Sequence, residues 1–329
     1  GSNPLRRVRS YPLLLEHLWP KLRQIVTLDW RMSSTARFSD FALPVAAWYE
    51  RTEHKWVTSL MPFIHAGEKL TSYYEAKSDW EILSLLAQKV QQRARERGLS
   101  RFVDRQGNER RLDDVWDYFS ESGRFGPTDD DAVAGELIAK SSNLEGVTWE
   151  ALKEQGFARF TGTGDKFLID HELYEEMGET LPVHKDSPTA GGDHPLTLTG
   201  GHTRWSIHAA WRDDKLMLQQ QRAQPVMYTS VSDARMRGIA DGDRVRVWND
   251  RAAFHIMVKT SPAVRPGQVI IYHAWENHQF EGGVGFQNLI PSPLNPVELA
   301  GGQFHLRPMP ICMQPSHTDR DTRVNMEKA

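Results

Sequence analysis

The densest group of chemically capable side chains lies in the second half of the sequence, around two histidines six residues apart. His202 and His208 enclose Arg204 and Ser206, and His273 follows a run of β-branched residues farther along the chain. Imidazole nitrogens can donate to or accept from a heterocycle, and they titrate near neutral pH. The pattern therefore predicts an imidazole-rich pocket that hydrogen-bonds a heterocyclic ring system.

A metal site is the main alternative for these three histidines. Three histidines and a water form a catalytic zinc pattern, which would make the chain a zinc hydrolase. No two of the three are spaced i, i+4, so the sequence favours the heterocycle over the metal. Taken singly, each histidine is also typical of an ordinary core or surface position.

A second set of candidates lies near the start of the sequence, beside predicted strands and helices. Asp29 follows a short apolar run, and ligands of open α/β sheets bind at the carboxyl ends of the strands. Its carboxylate could accept hydrogen bonds from a guanine or from ribose hydroxyls. Ser33 could cap the next helix and leave backbone amides for a phosphate. The alternative is that Asp29 and Ser33 only cap that helix.

Four further polar residues have both a structural and a functional interpretation. Asn3 lies in a turn that could offer N–H groups to a phosphate. Arg51 is typical of a solvated arginine or of a phosphate contact. Asp79 belongs to the cap of a predicted helix or contacts a ligand. Asn288 follows a glycine-rich segment and either lines the histidine pocket or belongs to a loop.

The composition limits the functional classes. A hydrophobic fraction of 39% and a charged fraction of 25% over 329 residues are those of an ordinary globular protein with one to three domains. A net charge of -3 argues against a nucleic-acid partner, which would need a basic excess. The single Cys312 excludes a disulfide framework and any cysteine-based iron–sulfur or structural zinc site within the chain. No run of about 18 apolar residues exists, so no membrane span is predicted.

The predicted elements divide the chain into three parts. Strand and helix patterns alternate over residues 1–110, which predicts a doubly wound α/β layer, and its clearest helix covers residues 78–97. Residues 111–193 are an irregular, partly helical insertion and linker. From residue 194 short alternating runs, punctuated by turns, predict a small closed β-barrel that continues to residue 329.

Taken together, these segments resemble the dimethyl sulfoxide reductase family of molybdenum enzymes, in which the cofactor is bis-(molybdopterin guanine dinucleotide). Residues 26–35, 39–44, 48–50 and 77–81 resemble the third domain of these enzymes in order and spacing. Residues 199–208, 233–247 and 272–274 resemble their fourth domain, a double-psi β-barrel. Residues 292–296, 298–302 and 319–324 are similar to the branch with ethylbenzene and dimethylsulfide dehydrogenases and with selenate, chlorate and nitrate reductases.

The resemblance implies a partial doubly wound α/β domain followed by an all-β double-psi barrel, both of which bind the cofactor. The residues implied near a guanine dinucleotide are Asn3, Asp29, Ser33, Arg51 and Asp79. The residues implied around a pterin are Thr199, Gly200, His202, Arg204, Ser206, His208 and His273, with Asn288 as an addition from its position. No aspartate matches the family's molybdenum-ligand motif, so no metal ligand and no catalytic residue are nominated.

The resemblance also implies a role for the whole protein. The chain would be the C-terminal part of a catalytic subunit that supports oxygen-atom transfer or hydroxylation of a small-molecule substrate. A [4Fe–4S] cluster is expected in an N-terminal half, outside this chain, with electrons passing to an iron–sulfur subunit and a haem b subunit as a further partner. The expected location is the periplasm, or alternatively the cytoplasmic face of the inner membrane. A cofactor-binding fragment without activity of its own is the alternative, and the substrate stays open.

Overall fold

The computed structural model describes residues 3–8, 11–56, 61–104, 106–161, 190–202, 208–221, 224–273, 275–290 and 322–329. The helices are α1 (Pro4–Arg7), α2 (Asp79–Arg97), α3 (Val115–Phe119), α4 (Asp130–Ala139), α5 (Trp149–Gln155), α6 (Lys215–Gln221) and α7 (Val231–Met236). The strands are β1 (Val26–Asp29), β2 (Phe41–Pro44), β3 (Glu53–Trp56), β4 (Phe63–Gly67), β5 (Arg101–Val103), β6 (Glu109–Arg111), β7 (Phe157–Arg159), β8 (Leu196–Gly201), β9 (Val226–Ser230), β10 (Arg244–Trp248), β11 (Ala253–Ser261), β12 (Gln268–Tyr272) and β13 (Thr322–Lys328). No helix in these ranges is both long and apolar enough to cross a membrane.

The chain forms two compact units. One comprises Gly1–Thr27, Met32–Phe41 and Asp170–Ala329, and the other comprises Leu28–Arg31 and Ala42–Ile169. These two units differ from the three parts that the sequence suggests. The three-domain division at residues 110 and 193 stays a prediction.

The first unit contains a closed six-stranded barrel, as predicted from the alternating runs. Its strands follow one another in the order β10, β11, β9, β12, β8, β13, and β13 pairs back to β10. Alternate residues along each strand face the barrel interior because side chains in a strand have a period of two. Val245 and Val247 of β10 are thus fully buried, as are Val269 and Ile271 of β12. The residues between them, Arg246 and Ile270, are only partly buried.

The second unit differs from the predicted doubly wound sheet. Strands β3, β4 and β7 form an antiparallel three-stranded sheet, and β5 and β6 form an antiparallel pair. Apolar residues of α4, α5 and the intervening turn pack on β4, with Ile64, Ile138, Trp149 and Leu152 buried. The short strand β1 pairs with β2 and alternates exposed and half-buried residues. The doubly wound prediction is therefore not met by the described strands.

Side-chain caps begin two helices of this unit, α2 and α5. The Ser78 hydroxyl accepts from the Glu81 amide at 3.0 Å at the start of α2, and Gly98 ends the helix in a left-handed conformation with φ +67°. The Thr148 hydroxyl likewise caps α5. The predicted helix of residues 78–97 is thus confirmed, because its start and end depend on neighbouring residues only.

Gly191 lies where the chain passes close to β13, and it supports a stability prediction. Its φ is +93°, and a Cβ built on it would lie 2.7 Å from the Arg323 carbonyl oxygen. We expect Gly191→Ala to lower the free energy of unfolding by about 2–4 kcal/mol, because left-handed strain adds to overpacking. Gly238 has φ +65° but no atom within 4 Å of such a Cβ, so Gly238→Ala should lose only about 1 kcal/mol. Equal losses in urea denaturation would contradict this account.

Candidate functional site

Parallel pairing of two barrel strands brings two of the predicted histidines together. Strands β8 and β12 run side by side in the same direction, and Gly201 at the end of β8 pairs with Tyr272 at the end of β12. The residue that follows each strand is a histidine, so His202 and His273 lie next to each other where the chain leaves the barrel. Their ring centroids are 4.1 Å apart at an interplanar angle of 68°.

His208 completes the cluster from the following turn. Its Nδ1 lies 3.1 Å from Nε2 of His273, and its ring centroid is 5.4 Å from that of His202. One nitrogen of each of these rings lies within 4.8 Å of the others. His208 has φ +49°, a conformation that residues other than glycine adopt rarely and that often occurs at functional sites. We refer to His202, His208 and His273 as the histidine cluster.

The hydrogen bonds of His273 determine which ring nitrogen of His273 and of His208 carries the proton. The Gly201 carbonyl oxygen accepts from the backbone N–H of His273 at 2.9 Å and lies 2.5 Å from its ring Nδ1. A carbonyl oxygen can only accept, so Nδ1 carries the proton. In the neutral ring Nε2 is then an acceptor, and it accepts from Nδ1–H of His208. The second nitrogen of a neutral His208, Nε2, is an acceptor in its turn.

Burial and neighbouring positive charge lower the pKa of two of these rings, His208 and His273. Burial is the main cause that lowers the pKa of His273, with repulsion from the other two histidines and Arg6 adding to it and the bond to Gly201 opposing it. Burial also lowers the pKa of His208, with His202, Arg6 and Arg7 as further causes. A neutral cluster offers acceptors as well as donors, which a protonated one would not.

The neutral cluster predicts a pH dependence of stability. The folded-state pKa of His208 and His273 lies below the ordinary value of 6.5, so the unfolded chain binds more protons between those values. Stability is fully present above pH 6.5 and falls as the pH drops from there toward the folded-state pKa. We expect His273→Gln to flatten this fall between about pH 7 and about pH 5 in thermal unfolding. The same substitution at the exposed His17 should leave the profile unchanged, and an unaltered profile for His273→Gln would contradict the assignment.

A buried carboxylate just beyond the cluster organises the start of the chain. Glu276 is 0% exposed, and both of its oxygens accept from the Asn3 amide nitrogen, at 2.9 and 3.0 Å. Its Oε2 also accepts from the Ser34 backbone N–H at 2.8 Å, and the Gln279 backbone completes a capping box with it. The Asn3 amide oxygen accepts from the backbone and the hydroxyl of Thr35, at 3.1 and 2.7 Å.

Further bonds join the same three segments. The Thr35 hydroxyl accepts from the Leu5 backbone at 3.2 Å, and the Asn277 backbone donates to the Ser34 hydroxyl at 3.1 Å. The side-chain amide of Asn277 donates to the Leu5 carbonyl. The side chain of Asn3, predicted to serve a phosphate, is therefore committed to the protein. Any ligand contact in this turn would have to come from backbone groups.

Of the three nucleotide-binding candidates in the second unit, two are in contact with each other. Arg51 contacts the Asp79 carboxylate through Nη1 and the Glu53 carboxylate at 2.7 Å through Nη2. Asp79 begins α2, as the capping interpretation predicts, and its side chain is exposed. Asp29 ends β1, and its carboxylate accepts weakly from the Arg31 backbone at 3.4 Å. Arg51 and Asp79 thus form one polar patch, whereas Asp29 keeps its own local contact.

The remaining candidates have mixed placements. Ser33 is fully buried, and its hydroxyl accepts from the Ala36 backbone N–H at 3.3 Å. This bond agrees with the alternative in which Ser33 serves the following helical turn and not a ligand. Thr199 on β8 accepts from the Gln268 amide at 2.9 Å, and Gly200 follows it. Asn288 ends a short helical turn, and its amide oxygen is buried without a hydrogen-bond partner. Two further candidates, at positions 204 and 206, lie outside the described residues.

Sequence reasoning missed Glu276, Asn277 and Arg212. Acidic and amide residues next to a tryptophan are common on surfaces, so nothing in the local pattern shows that Glu276 is buried. Its partners are Asn3 and Ser34, which lie more than two hundred residues away in the sequence. The one available signal was proximity, because Glu276 follows His273 by three residues and Arg212 follows His208 by four.

Two parts of the chain match known protein families. Residues 196–302 match the family described as "Molydopterin dinucleotide binding domain", and residues 14–89 match the family described as "Molybdopterin oxidoreductase". The first match begins in β8 and includes the whole histidine cluster. The second includes Asp29, Ser33, Arg51 and Asp79.

Several curated proteins are similar over nearly the whole chain. The alpha subunit of respiratory nitrate reductase from Haloferax mediterranei is 35% identical over 100% of this chain. The perchlorate reductase alpha subunit of Dechloromonas aromatica is 32% identical over 99%, and the dimethylsulfide dehydrogenase alpha subunit of Rhodovulum sulfidophilum is 31% identical over 93%. The chain spans 38%, 38% and 37% of the length of these relatives.

A solved structure shares the fold. The chain aligns over its full length with 43% of acetylene hydratase from Pelobacter acetylenicus, at a TM-score of 0.64 and 15% sequence identity. At this identity the similarity concerns the fold alone.

Proposed function

This chain belongs to the molybdopterin oxidoreductases, and from that premise we propose that it is part of the catalytic subunit of a molybdenum enzyme that binds bis-(molybdopterin guanine dinucleotide). The observation that carries the proposal is the convergence of the histidine cluster inside the matched dinucleotide-binding domain. The bound cofactor supplies redox-active molybdenum for oxygen-atom transfer or hydroxylation. The residues of this chain bind and orient it.

The donor set of the first unit fits a pterin. A pterin presents ring nitrogens and an amino group that alternate between donors and acceptors, and a neutral His208 can accept from such a group at Nε2. His273 holds His208 in orientation through the bond between their rings. The unpartnered amide oxygen of Asn288 is a buried acceptor that a ligand N–H would satisfy. We assign Thr199, Gly200 and the segment with Arg204 and Ser206 to the same pterin.

We assign the guanine dinucleotide to Asn3 and to four residues of the molybdopterin oxidoreductase match. Asp29 and the Arg51–Asp79 pair present exposed or half-exposed polar groups that can bind a guanine, a ribose or a phosphate. Asn3 and Ser33 act through backbone groups, since their side chains are used within the protein. The mixed parallel and antiparallel pairing of the barrel supports the double-psi topology that the resemblance implies.

Cofactor content tests this function directly. We expect the chain, purified from a host that makes the dinucleotide, to release GMP on acid hydrolysis and to contain molybdenum in near-stoichiometric amount. The same chain from a host unable to attach GMP should lack both. Bound guanine nucleotide without molybdenum would favour the alternative, a cofactor-binding fragment. Absence of guanine nucleotide and molybdenum from the first preparation would refute the proposal.

A zinc hydrolase remains the second candidate because the three imidazoles meet the geometric requirement for one metal ion. It predicts one equivalent of zinc by elemental analysis, lost in His202→Ala. The lowered pKa values of His208 and His273 suit either ligand, so metal content decides between them.

The activity of the whole protein is proposed from its relatives. Nitrate, perchlorate or chlorate reduction and dimethylsulfide oxidation are the substrate classes named for them. Their designation as alpha subunits supports an iron–sulfur partner subunit, and we propose a haem b subunit as a further partner. A periplasmic complex is the proposed location, with the cytoplasmic face of the inner membrane as the alternative.

A further inference from the structure

A buried arginine, four residues after His208 in the sequence, has no anionic partner among the described residues. Arg212 is only 3% exposed, yet its guanidinium Nε and Nη2 make no hydrogen bond. No carboxylate of the described residues forms an ion pair with it. Burial lowers the pKa of its guanidinium, and no carboxylate of the described residues offsets that effect. Buried charges are normally paired, so a guanidinium of this kind calls for a partner.

The surroundings hold the guanidinium in a fixed orientation. It stacks over the Trp275 ring with its central carbon 4.2 Å from the ring centroid. The backbone of Arg212 is held at both ends: its N–H donates to the Ala209 carbonyl at 3.3 Å, and its carbonyl accepts from the Gln279 amide. An arginine held in this way loses little conformational entropy when a ligand binds.

A second arginine that stacks on a tryptophan, in barrel strand β10, differs from Arg212 in its charge environment. The guanidinium of Arg246 lies over the Trp248 ring at 4.7 Å, and its Nη1 donates to Glu327 at 3.0 Å. Its side chain is 41% exposed. Arg246 thus has solvent and a carboxylate, whereas Arg212 has neither, and the stacking alone does not explain why a cation is buried there.

We infer that Arg212 is an anion-binding residue, and that the N–H groups left unpaired by the protein bind an oxyanion. A guanidinium binds planar or tetrahedral oxyanions through parallel N–H bonds. Two sources have this chemistry: a phosphate group of a bound nucleotide, and a free oxyanion such as phosphate or nitrate. The inference depends on the contacts of Arg212 and does not require that the chain hold a pterin.

The first test measures the thermal stability of the 329-residue chain, prepared from a host without the dinucleotide so that the cofactor question does not enter. In buffer without oxyanions, Arg212→Met should raise Tm by about 2 °C or more, because an unpaired buried cation is removed. Inorganic phosphate should raise the Tm of the wild-type chain and leave that of Arg212→Met unchanged. Arg246→Met is the matched control and should keep the full phosphate response.

The second test separates the two sources. If the source is a nucleotide phosphate, GDP should produce the Arg212-dependent rise in Tm at a concentration about tenfold or more below that of inorganic phosphate. If the source is a free oxyanion, phosphate and nitrate should be at least as effective as GDP. The inference is overturned if no oxyanion gives an Arg212-dependent shift, or if Arg212→Met lowers Tm in anion-free buffer as a purely structural residue would. Either failure leaves the GMP and molybdenum measurement unaffected.

Discussion

Glu276→Gln is expected to lower the free energy of unfolding by about 2–4 kcal/mol, although it changes a single atom. The cause is the direction of the hydrogen bonds on both sides of Asn3. Thr35 donates to the Asn3 oxygen from its backbone and its hydroxyl, so the Asn3 nitrogen must face Glu276. Glutamine at position 276 would use its oxygen for the Ser34 amide and turn its nitrogen toward the nitrogen of Asn3. Rotating the Asn3 amide would only move the donor–donor contact to Thr35.

A second substitution should restore the network. In Asn3→Asp/Glu276→Gln, the aspartate oxygens accept from Thr35 and from the new amide, while the glutamine oxygen still accepts from Ser34. We expect this double variant to recover at least about 1 kcal/mol in a double-mutant cycle measured by urea denaturation. Glu281→Gln is the control, since Glu281 is exposed and pairs with Arg244 at the surface, and it should change stability by less than about 1 kcal/mol. Additive losses in the cycle would show that Asn3 and Glu276 do not depend on each other.

The barrel could be predicted from the sequence because its strands carry local periodicity. Strand β10 coincides with an alternating run, since one of its faces is buried and the other is not, and β12 coincides with the β-branched run before His273. Helix α2 follows equally from its cap residues. The two histidines that follow β8 and β12 could be expected to share a pocket, but their adjacency depends on parallel pairing of those strands, which periodicity does not reveal.

What the sequence does not show are contacts between distant segments and the pairing of short strands. The three-stranded sheet of the second unit is antiparallel, although strand–helix alternation predicts a parallel layer, because alternation gives the order of elements and not their partners. The burial of Glu276 could not be predicted for the same reason, because a carboxylate is buried only where donors from distant segments converge on it. Arg212 was likewise indistinguishable from a surface arginine until its burial was known.

Within the proposed function, His273→Phe should reduce the GMP and molybdenum retained by the purified chain by about tenfold or more. Phenylalanine keeps the size of the ring but removes its bonds to the Gly201 carbonyl and to His208. His208 then loses the contact that orients it. His255→Phe is the control, because His255 lies on β11 of the same barrel and outside the histidine cluster, and it should retain the wild-type cofactor content.

The directed bond between the two rings also predicts how the substitutions combine. His208→Gln alone should reduce cofactor retention by less than His273→Phe, since glutamine can still place an acceptor near the ligand. In the double variant, the loss should be close to that of His273→Phe alone, because a residue at position 208 without its neighbour is no longer held in place. Cofactor content of the four proteins, compared at equal folded fraction by circular dichroism, measures this coupling. Fully multiplicative losses would mean that each histidine binds the ligand independently, and that the bond between them does not position His208.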